Sequence, residues 1–258
     1  MKKARVLDAR DRPLSPCSRN KARRLVAEGE ADLVCEDPLT IRLHRLVDIP
    51  EPQEEEEVNP LEGERVLLHI CCAPCATYTV RRLRALDAQV TGHWFNPNIH
   101  PYSEHGRRRQ ALVRYAQEID LPVIWEANYE MPAFFRAVVG HEMFRERCTI
   151  CYELRLERTA RRAAEEGFAF FTTTLLISPY QDQERIREIG DKHAEAYGVT
   201  FYFENFRQGF AEHYELARAH DLYMQDYCGC IYSEWEARDK DASTHPHRGG
   251  QEGVSTQE

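Results

Sequence analysis

Between residues 64 and 203 the chain alternates short apolar runs with long helical patterns, and few architectures can use that alternation. Runs at 66–70, 90–95, 122–125, 168–172 and 200–203 have the length and apolar content of strands. Helical patterns fill the gaps at 77–86, 103–119 and 131–139, from near Cys148 to 166 with Gly167 closing it, and at 182–197 with Gly198 as its stop. Short strands separated by long helices argue for βαβ units and a parallel sheet covered by helices on both faces. The expected fold is a Rossmann-like α/β layer structure, in which ligands bind beyond the carboxyl ends of the strands.

Distinctive residues follow three of those strand ends. Cys71-Cys72-Ala-Pro-Cys75 comes after the first strand and Asn96-Pro-Asn-Ile-His-Pro101 after the second. Residues 172–181, Thr-Thr-Thr-Leu-Leu-Ile-Ser-Pro-Tyr-Gln, follow the fourth. Cys148 and Cys151 fall at the start of a helix, where the macrodipole and free N–H groups favour thiolate over thiol. With Cys228-Gly-Cys230, seven of the nine cysteines sit in three tight clusters, and only Cys17 and Cys35 lie outside them. A chain that gathers thiolates this way binds a soft metal or runs a redox couple. A structural zinc site is the plainer alternative, but a closed tetrahedral site uses four ligands and leaves the Cys-Gly-Cys pair unexplained. That pair reads as a redox-active dithiol, with two further metal ligands or two inert thiols as the alternatives.

Residues 1–47 form a separate piece, with a basic helix at 18–28 between Ser18 as N-cap and Gly29 as C-cap, and strand-like runs at 31–35 and 39–43. A small α+β domain is expected there. Residues 48–63 are acidic and carry Pro50, Pro52 and Pro60, which reads as a linker. The polar stretch from 237 to 258 reads as a disordered tail, leaving 64–236 as the main domain.

The net charge of −9 argues against a general polyanion binder, so contact with nucleic acid must come from local patches. Arg81-Arg82-Leu83-Arg84 and Arg107-Arg108-Arg109 are two, though either is as readily a solvated helix face. Residues 1–50 hold 11 Lys and Arg against 8 Asp and Glu. No apolar run approaches the roughly 18 residues of a membrane helix, so no membrane partner is expected. The charged first ten residues lack the apolar core of a secretory signal, so a reducing cytoplasm is the expected location.

The motifs His69-Ile-Cys-Cys-Ala-Pro-Cys75, Phe95-Asn-Pro-Asn-Ile-His-Pro101, Cys148-Thr-Ile-Cys-Tyr-Glu-Leu-Arg-Leu156, 172–181 and Tyr227-Cys-Gly-Cys-Ile-Tyr-Ser233 resemble, in order, the signatures of the cobalamin-independent epoxyqueuosine reductases of the QueH family. The likeness spans about residues 64–236. It implies a HUP-like α/β domain with a 4Fe–4S cluster, no cobalamin, and removal of the epoxide oxygen from epoxyqueuosine at the tRNA wobble position. It further implies Cys71, Cys72, Cys148 and Cys151 as cluster ligands and Cys228 with Cys230 as a redox-active disulfide. Cys75 is a candidate ligand of a second, mononuclear iron. The partners implied are tRNA and an unidentified electron donor. Asn96, Asn98, Tyr180, Gln181 and Arg108 are candidate RNA-binding residues, and Asp182, Glu184, Tyr180 and His100 candidate acids. Residues 1–46 resemble instead the small RRXRR or PLMP-type domain at the start of some mobile-element HNH nucleases, through Arg12-Pro-Leu-Ser-Pro16, Lys21-Ala-Arg-Arg-Leu25 and Pro38-Leu-Thr-Ile-Arg-Leu43.

Two other readings compete. An ATP-dependent tRNA-thiolating enzyme shares the layer fold, but its phosphate loop needs glycines that residues 71–75 do not offer. A non-catalytic zinc and nucleic-acid-binding module is the second.

Overall fold

The computed structural model describes residues 3–11, 13–45 and 59–239, which fall into two compact units divided between Val58 and Asn59. The proposed linker residues 48–58 and tail residues 240–258 lie outside the described residues.

The first unit contains β1 (Ala4–Leu7), β2 (Pro13–Cys17), α1 (Arg19–Ala27), β3 (Ala31–Glu36) and β4 (Leu39–Leu43). Its sheet has the order β2-β1-β4-β3, with β1 and β4 parallel and the other pairs antiparallel. Ala4, Val6, Ala22, Ala31, Leu39, Ile41 and Leu43 form its core, matching the expected α+β class. Ser18 caps α1 as expected, its Oγ accepting from Lys21 N at 3.3 Å. The helix closes at Glu28, and Gly29 beyond it takes φ +72°, the left-handed conformation that glycine adopts without strain.

The second unit runs β5 (Arg65–His69), α2 (Ala73–Ala85), β6 (Gln89–Trp94), α3 (Tyr102–Glu118), β7 (Val123–Trp125), α4 (Met131–Val138), α5 (Glu146–Glu165), β8 (Phe170–Thr173), α6 (Gln183–Tyr197), β9 (Thr200–Phe201), α7 (Phe210–Ala219) and α8 (Ile231–Arg238). The five strands are all parallel in the order β7-β6-β5-β8-β9. The path steps outward from β5 to β7, then crosses back to β8, so right-handed connections place the outbound and returning helices on opposite faces. The packing agrees: α2 meets α3 and α7, while α5 meets α4 and α6. The Rossmann-like expectation is borne out. Four of the five β5 residues are buried, as a central parallel strand requires.

Residues 59–63, read as the end of the linker, belong to the folded unit. Leu61 is fully buried in its core, and Asn59 Nδ2 donates to Leu86 O at 2.7 Å. At the far end, α8 carries order to Arg238. Among the described residues no helix is long and apolar enough to cross a membrane.

The outer strands are tied to α5 by charge. Glu126, just past β7, accepts from His93 Nε2 at 3.2 Å, Arg158 NH1 at 3.1 Å and Arg162 NH2 at 3.0 Å. The bond from His93, then that from Arg162, holds its carboxyl down to about 2 from the ordinary 4.5. A carboxylate with a depressed folded pKa stabilises fully above its unfolded value and loses that contribution as pH falls toward the folded one. Stability should therefore decline between pH 4.5 and 2, and Glu126→Gln should flatten that limb. Denaturant unfolding of both proteins across this range checks it, and superimposable acid limbs would contradict it.

Candidate functional site

The sheet's order reverses between β5 and β8, and a crevice opens there at the carboxyl edge. His69 closes the last rung of β5. It is fully buried, its Nδ1 2.9 Å from Thr173 Oγ1 and its Nε2 3.3 Å from Phe95 O, so one ring joins the ends of β5, β8 and β6. Burial pushes its pKa down to about 3, so the ring is neutral.

Immediately beyond, Cys72 is the N-cap of α2, Pro74 occupies its first turn and Cys75 follows. Proline there forfeits no helical bond, because the first N–H groups lack intrahelical partners. The Cys71, Cys72 and Cys75 sulfurs all lie within 4.8 Å of one another. Thr174 of the 3-10 turn after β8 accepts from Cys71 N at 3.0 Å and donates to Cys71 Sγ at 3.2 Å. Hydrogen bonds from Cys72, Cys75 and Thr174 hold the Cys71 thiol well below its usual range. The same sharing drives Cys72 and Cys75 upward.

The other four thiols line a small pocket of about 20 Å³, together with Asn98, Phe134, Arg147, Tyr152, Arg155 and Gln181. Cys148 is in the first turn of α5 and Cys151 one turn on, so helical periodicity puts both on one face. Burial, reinforced by Cys228, pushes Cys148 up to about 12, and Cys151 rises for the same reasons. Cys228 and Cys230 arrive on the loop before α8. Gly229 between them takes φ +147°, and a Cβ there would sit 3.2 Å from Arg108 NH1 and 3.3 Å from Ile99 Cγ1. All seven cysteines are free thiols.

Arg155 joins the two groups. It is 2% exposed, and its Nε donates to Cys151 O at 3.1 Å. Burial alone would lower its hold on its proton, but the Cys151, Cys228 and Cys71 sulfurs raise it. Among the described residues no carboxylate lines the pocket, and the groups facing this buried guanidinium are mainly thiols. Such a soft sulfur donor set beside a buried cation fits an iron–sulfur centre and offers nothing to a hard oxygen-loving ion.

Arg108 is a correction. It is 2% exposed, and its guanidinium is spent inside the protein: Nε on Glu104 Oε1 at 2.7 Å, NH1 on Cys228 O at 2.9 Å and NH2 on Tyr227 O at 3.1 Å. It positions the Cys228 loop, and its burial keeps it from the surface where RNA would lie. The patch at 81–84 is committed as well, Arg81 to Glu212, Arg82 to Glu204 and Arg84 to the Ile119 and Asp120 carbonyls. Asn96 is buried, with Nδ2 on Ile70 O at 2.9 Å, while Asn98 reaches the thiol pocket and its buried Oδ1 has no partner among the described residues. Gln181 spans 2.9 Å to the Tyr152 hydroxyl and 3.5 Å to Cys228 Sγ. Tyr180 is 78% exposed beside it. Of the candidate acids, Asp182 caps α6 through Arg185 N, and His100 is buried against Phe135 with its pKa pushed down to about 4 by burial. The His100 ring is therefore neutral at pH 7 and holds no proton to give as an imidazolium.

Sequence reasoning missed Arg155, Tyr152 and Gln225, whose Nε2 donates to Cys72 Sγ at 3.0 Å. Arg155 had a signal, being four residues, one helical turn, beyond Cys151. Gln225 had none.

Comparison with known proteins identifies the family of most of the chain. The family model described as epoxyqueuosine reductase QueH matches residues 66–236, and one described as RRXRR protein matches residues 5–63. An epoxyqueuosine reductase QueH of Dehalococcoides mccartyi is 36% identical over 172 residues, 67% of this chain and 93% of that one. Another from Thermotoga maritima is 38% identical over 191 residues, 71% of this chain and 97% of that one. Among solved structures, the U34-tRNA thiolase NcsA from Methanococcus maripaludis with its 4Fe–4S cluster overlays with a TM-score of 0.48 at 17% identity, covering 69% of this chain and 63% of that chain.

Proposed function

The chain belongs to the QueH family of epoxyqueuosine reductases, and from that premise we propose that it reduces epoxyqueuosine to queuosine at the wobble position of tRNA. The observation that supports the proposal is a tight trio of thiols at the end of β5, with four more thiols in a pocket lined by a buried arginine and, among the described residues, no carboxylate.

Cys71, Cys72, Cys148 and Cys151 would hold a 4Fe–4S cluster, and Cys75 would take part in holding a mononuclear iron beside it. Bound there, the cluster supplies single-electron transfer. Arg155 balances the negative charge of the thiolates in the dry pocket, and Arg108 holds the Cys228 loop against the site. Removing the epoxide oxygen as water consumes two electrons and two protons and leaves a carbon–carbon double bond. Oxidation of the Cys228 and Cys230 thiols to a disulfide releases two electrons and two protons, so the pair balances one turnover. An external electron donor then restores the dithiol. The low glycine content of residues 71–75 continues to argue against an ATP-binding thiolase.

The test is conversion of tRNA bearing epoxyqueuosine by protein purified without air, read by nucleoside mass analysis. Queuosine should accumulate with a chemical reductant present. A colourless, zinc-loaded protein that leaves the tRNA unchanged would overturn the assignment.

The first unit would act as a tRNA-docking appendage. Lys21, Arg23 and Arg24 are exposed on α1 and give it a basic face. Replacing all three with Gln should weaken tRNA binding, and should flatten the slope of log affinity against log salt by about two to three if each meets a phosphate. Unchanged affinity at several salt concentrations would rule out docking through this helix.

A further inference from the structure

A second pocket opens at the same sheet edge, two strands from the thiols. It is lined by residues that follow β6 and β7 and by the first half of α3, and its volume is about 750 Å³. β6 is hydrogen-bonded to β5 and β7 to β6, so at about 4.8 Å per strand the two sites are on the order of 10 Å apart. The loop after β6 connects them: Asn96 lines this pocket and Asn98 the thiol pocket.

Its walls are aromatic. Tyr102 and Tyr129 ring centroids are 5.6 Å apart, Tyr129 and His105 4.3 Å, His105 and Trp94 5.4 Å, and Trp94 and Trp125 6.2 Å. Tyr102 stands 73% exposed, and among the described residues the buried Trp94 Nε1 has no acceptor. The Arg109 guanidinium lies 4.8 Å over the Trp125 ring. Among the described residues Arg109 has no carboxylate or hydrogen-bond partner, unlike Arg107, which is bonded to Glu104, and Glu126, which holds His93, Arg158 and Arg162. The pocket therefore presents the exposed Tyr102 ring and, among the described residues, a cation with no anionic partner. That combination recognises a planar base with a phosphate attached.

We propose that this pocket binds an unpaired nucleobase of the RNA, a neighbour of the modified base, with the exposed Tyr102 ring stacking on the base and Arg109 taking its phosphate. The inference rests on the RNA substrate proposed above. It explains how a chain of net charge −9 engages RNA beside a cysteine-lined site, since stacking tolerates an acidic surface where phosphate attraction alone would not.

The test uses the full chain, loaded with iron, and a fluorescent anticodon stem-loop RNA carrying guanine at the wobble position. Tyr102→Ala and Arg109→Gln alter exposed side chains, and unchanged iron content and circular dichroism confirm the fold. Each should weaken RNA binding, Tyr102→Ala by about tenfold as expected for a lost base stack. Removing the base on one side of the wobble nucleotide should cost the wild type a similar factor. That change should add little to Tyr102→Ala, because both remove one interaction. Wild-type affinity in both variants would overturn the proposal. So would additive losses, or AMP binding in the pocket while RNA affinity ignores both substitutions, which would make it a free-nucleotide site. Failed conversion of epoxyqueuosine tRNA with a sensitive pocket would sink the reaction and keep the base site, and the converse result would sink the base site alone.

Discussion

Cys148→Ala and Cys151→Ala, purified without air, should each lose most of the iron and sulfide that the wild type binds. Both thiols project from the first turns of α5 into the pocket, and burial makes an unaccompanied thiolate unfavourable at either position. A bound cation reverses that preference, because a coordinated thiol gives up its proton. Alanine removes the ligand without inserting a charge or an oversized group. The loss to the fold is small, since Cys148 is half-buried and α5 stays anchored through Tyr152, Leu156, Ala160 and Ala163 in the core. The variants should stay folded and soluble while their visible absorbance disappears. Brown protein with wild-type iron in both would remove these residues from the ligand set.

Cys230→Ser should give the opposite pattern, with metal retained and turnover reduced by a hundredfold or more, on the order expected when a covalent redox partner is lost. The loop that carries Cys230 has its own supports. Arg108 grips the Tyr227 and Cys228 carbonyls, His100 N donates to Gly229 O at 2.8 Å, and Gly229 N donates to Ser233 Oγ at 3.1 Å. Serine at 230 leaves these bonds intact and preserves a cap on α8, since its Oγ can accept from the Ser233 N–H that the Cys230 sulfur now takes. What it removes is one of two thiols that must oxidise together. Loss of the metal from Cys230→Ser would place the pair among the ligands. The structure makes that comparison pointed, because Cys228 and Cys230 share one pocket with Cys148 and Cys151 while Cys71, Cys72 and Cys75 form a tight trio.

The parallel sheet was legible because its strands are short, apolar and separated by helices that bury one stripe each. The antiparallel part was harder. β2 carries Pro13 and Pro16, residues that suit only an edge strand, and it went unread along with β1. α7 buries only His213 and Ala217, and α8 is eight residues long with none of them buried, so neither shows a periodic apolar stripe. The cysteine clusters pointed to one sheet edge before any geometry was known. How the thiols divide depended on the approach of α5 and of the 228–230 loop, contacts too distant in sequence for spacing to reveal. Arg108 was misread for a related reason. A run of three arginines looks like a solvated face until Glu104, one turn earlier and fully buried, is seen to hold the middle one inside.

The central claim is that thiols at this switch point reduce the epoxide of a tRNA base. Its most direct measurement is a single turnover: the full chain, reduced without air and freed of reductant, is mixed with tRNA bearing epoxyqueuosine, and both queuosine and remaining thiols are counted. The account predicts queuosine, with two thiols lost for each one formed and both losses mapping to Cys228 and Cys230. Absence of queuosine, or its formation with the thiol count unchanged, would contradict it.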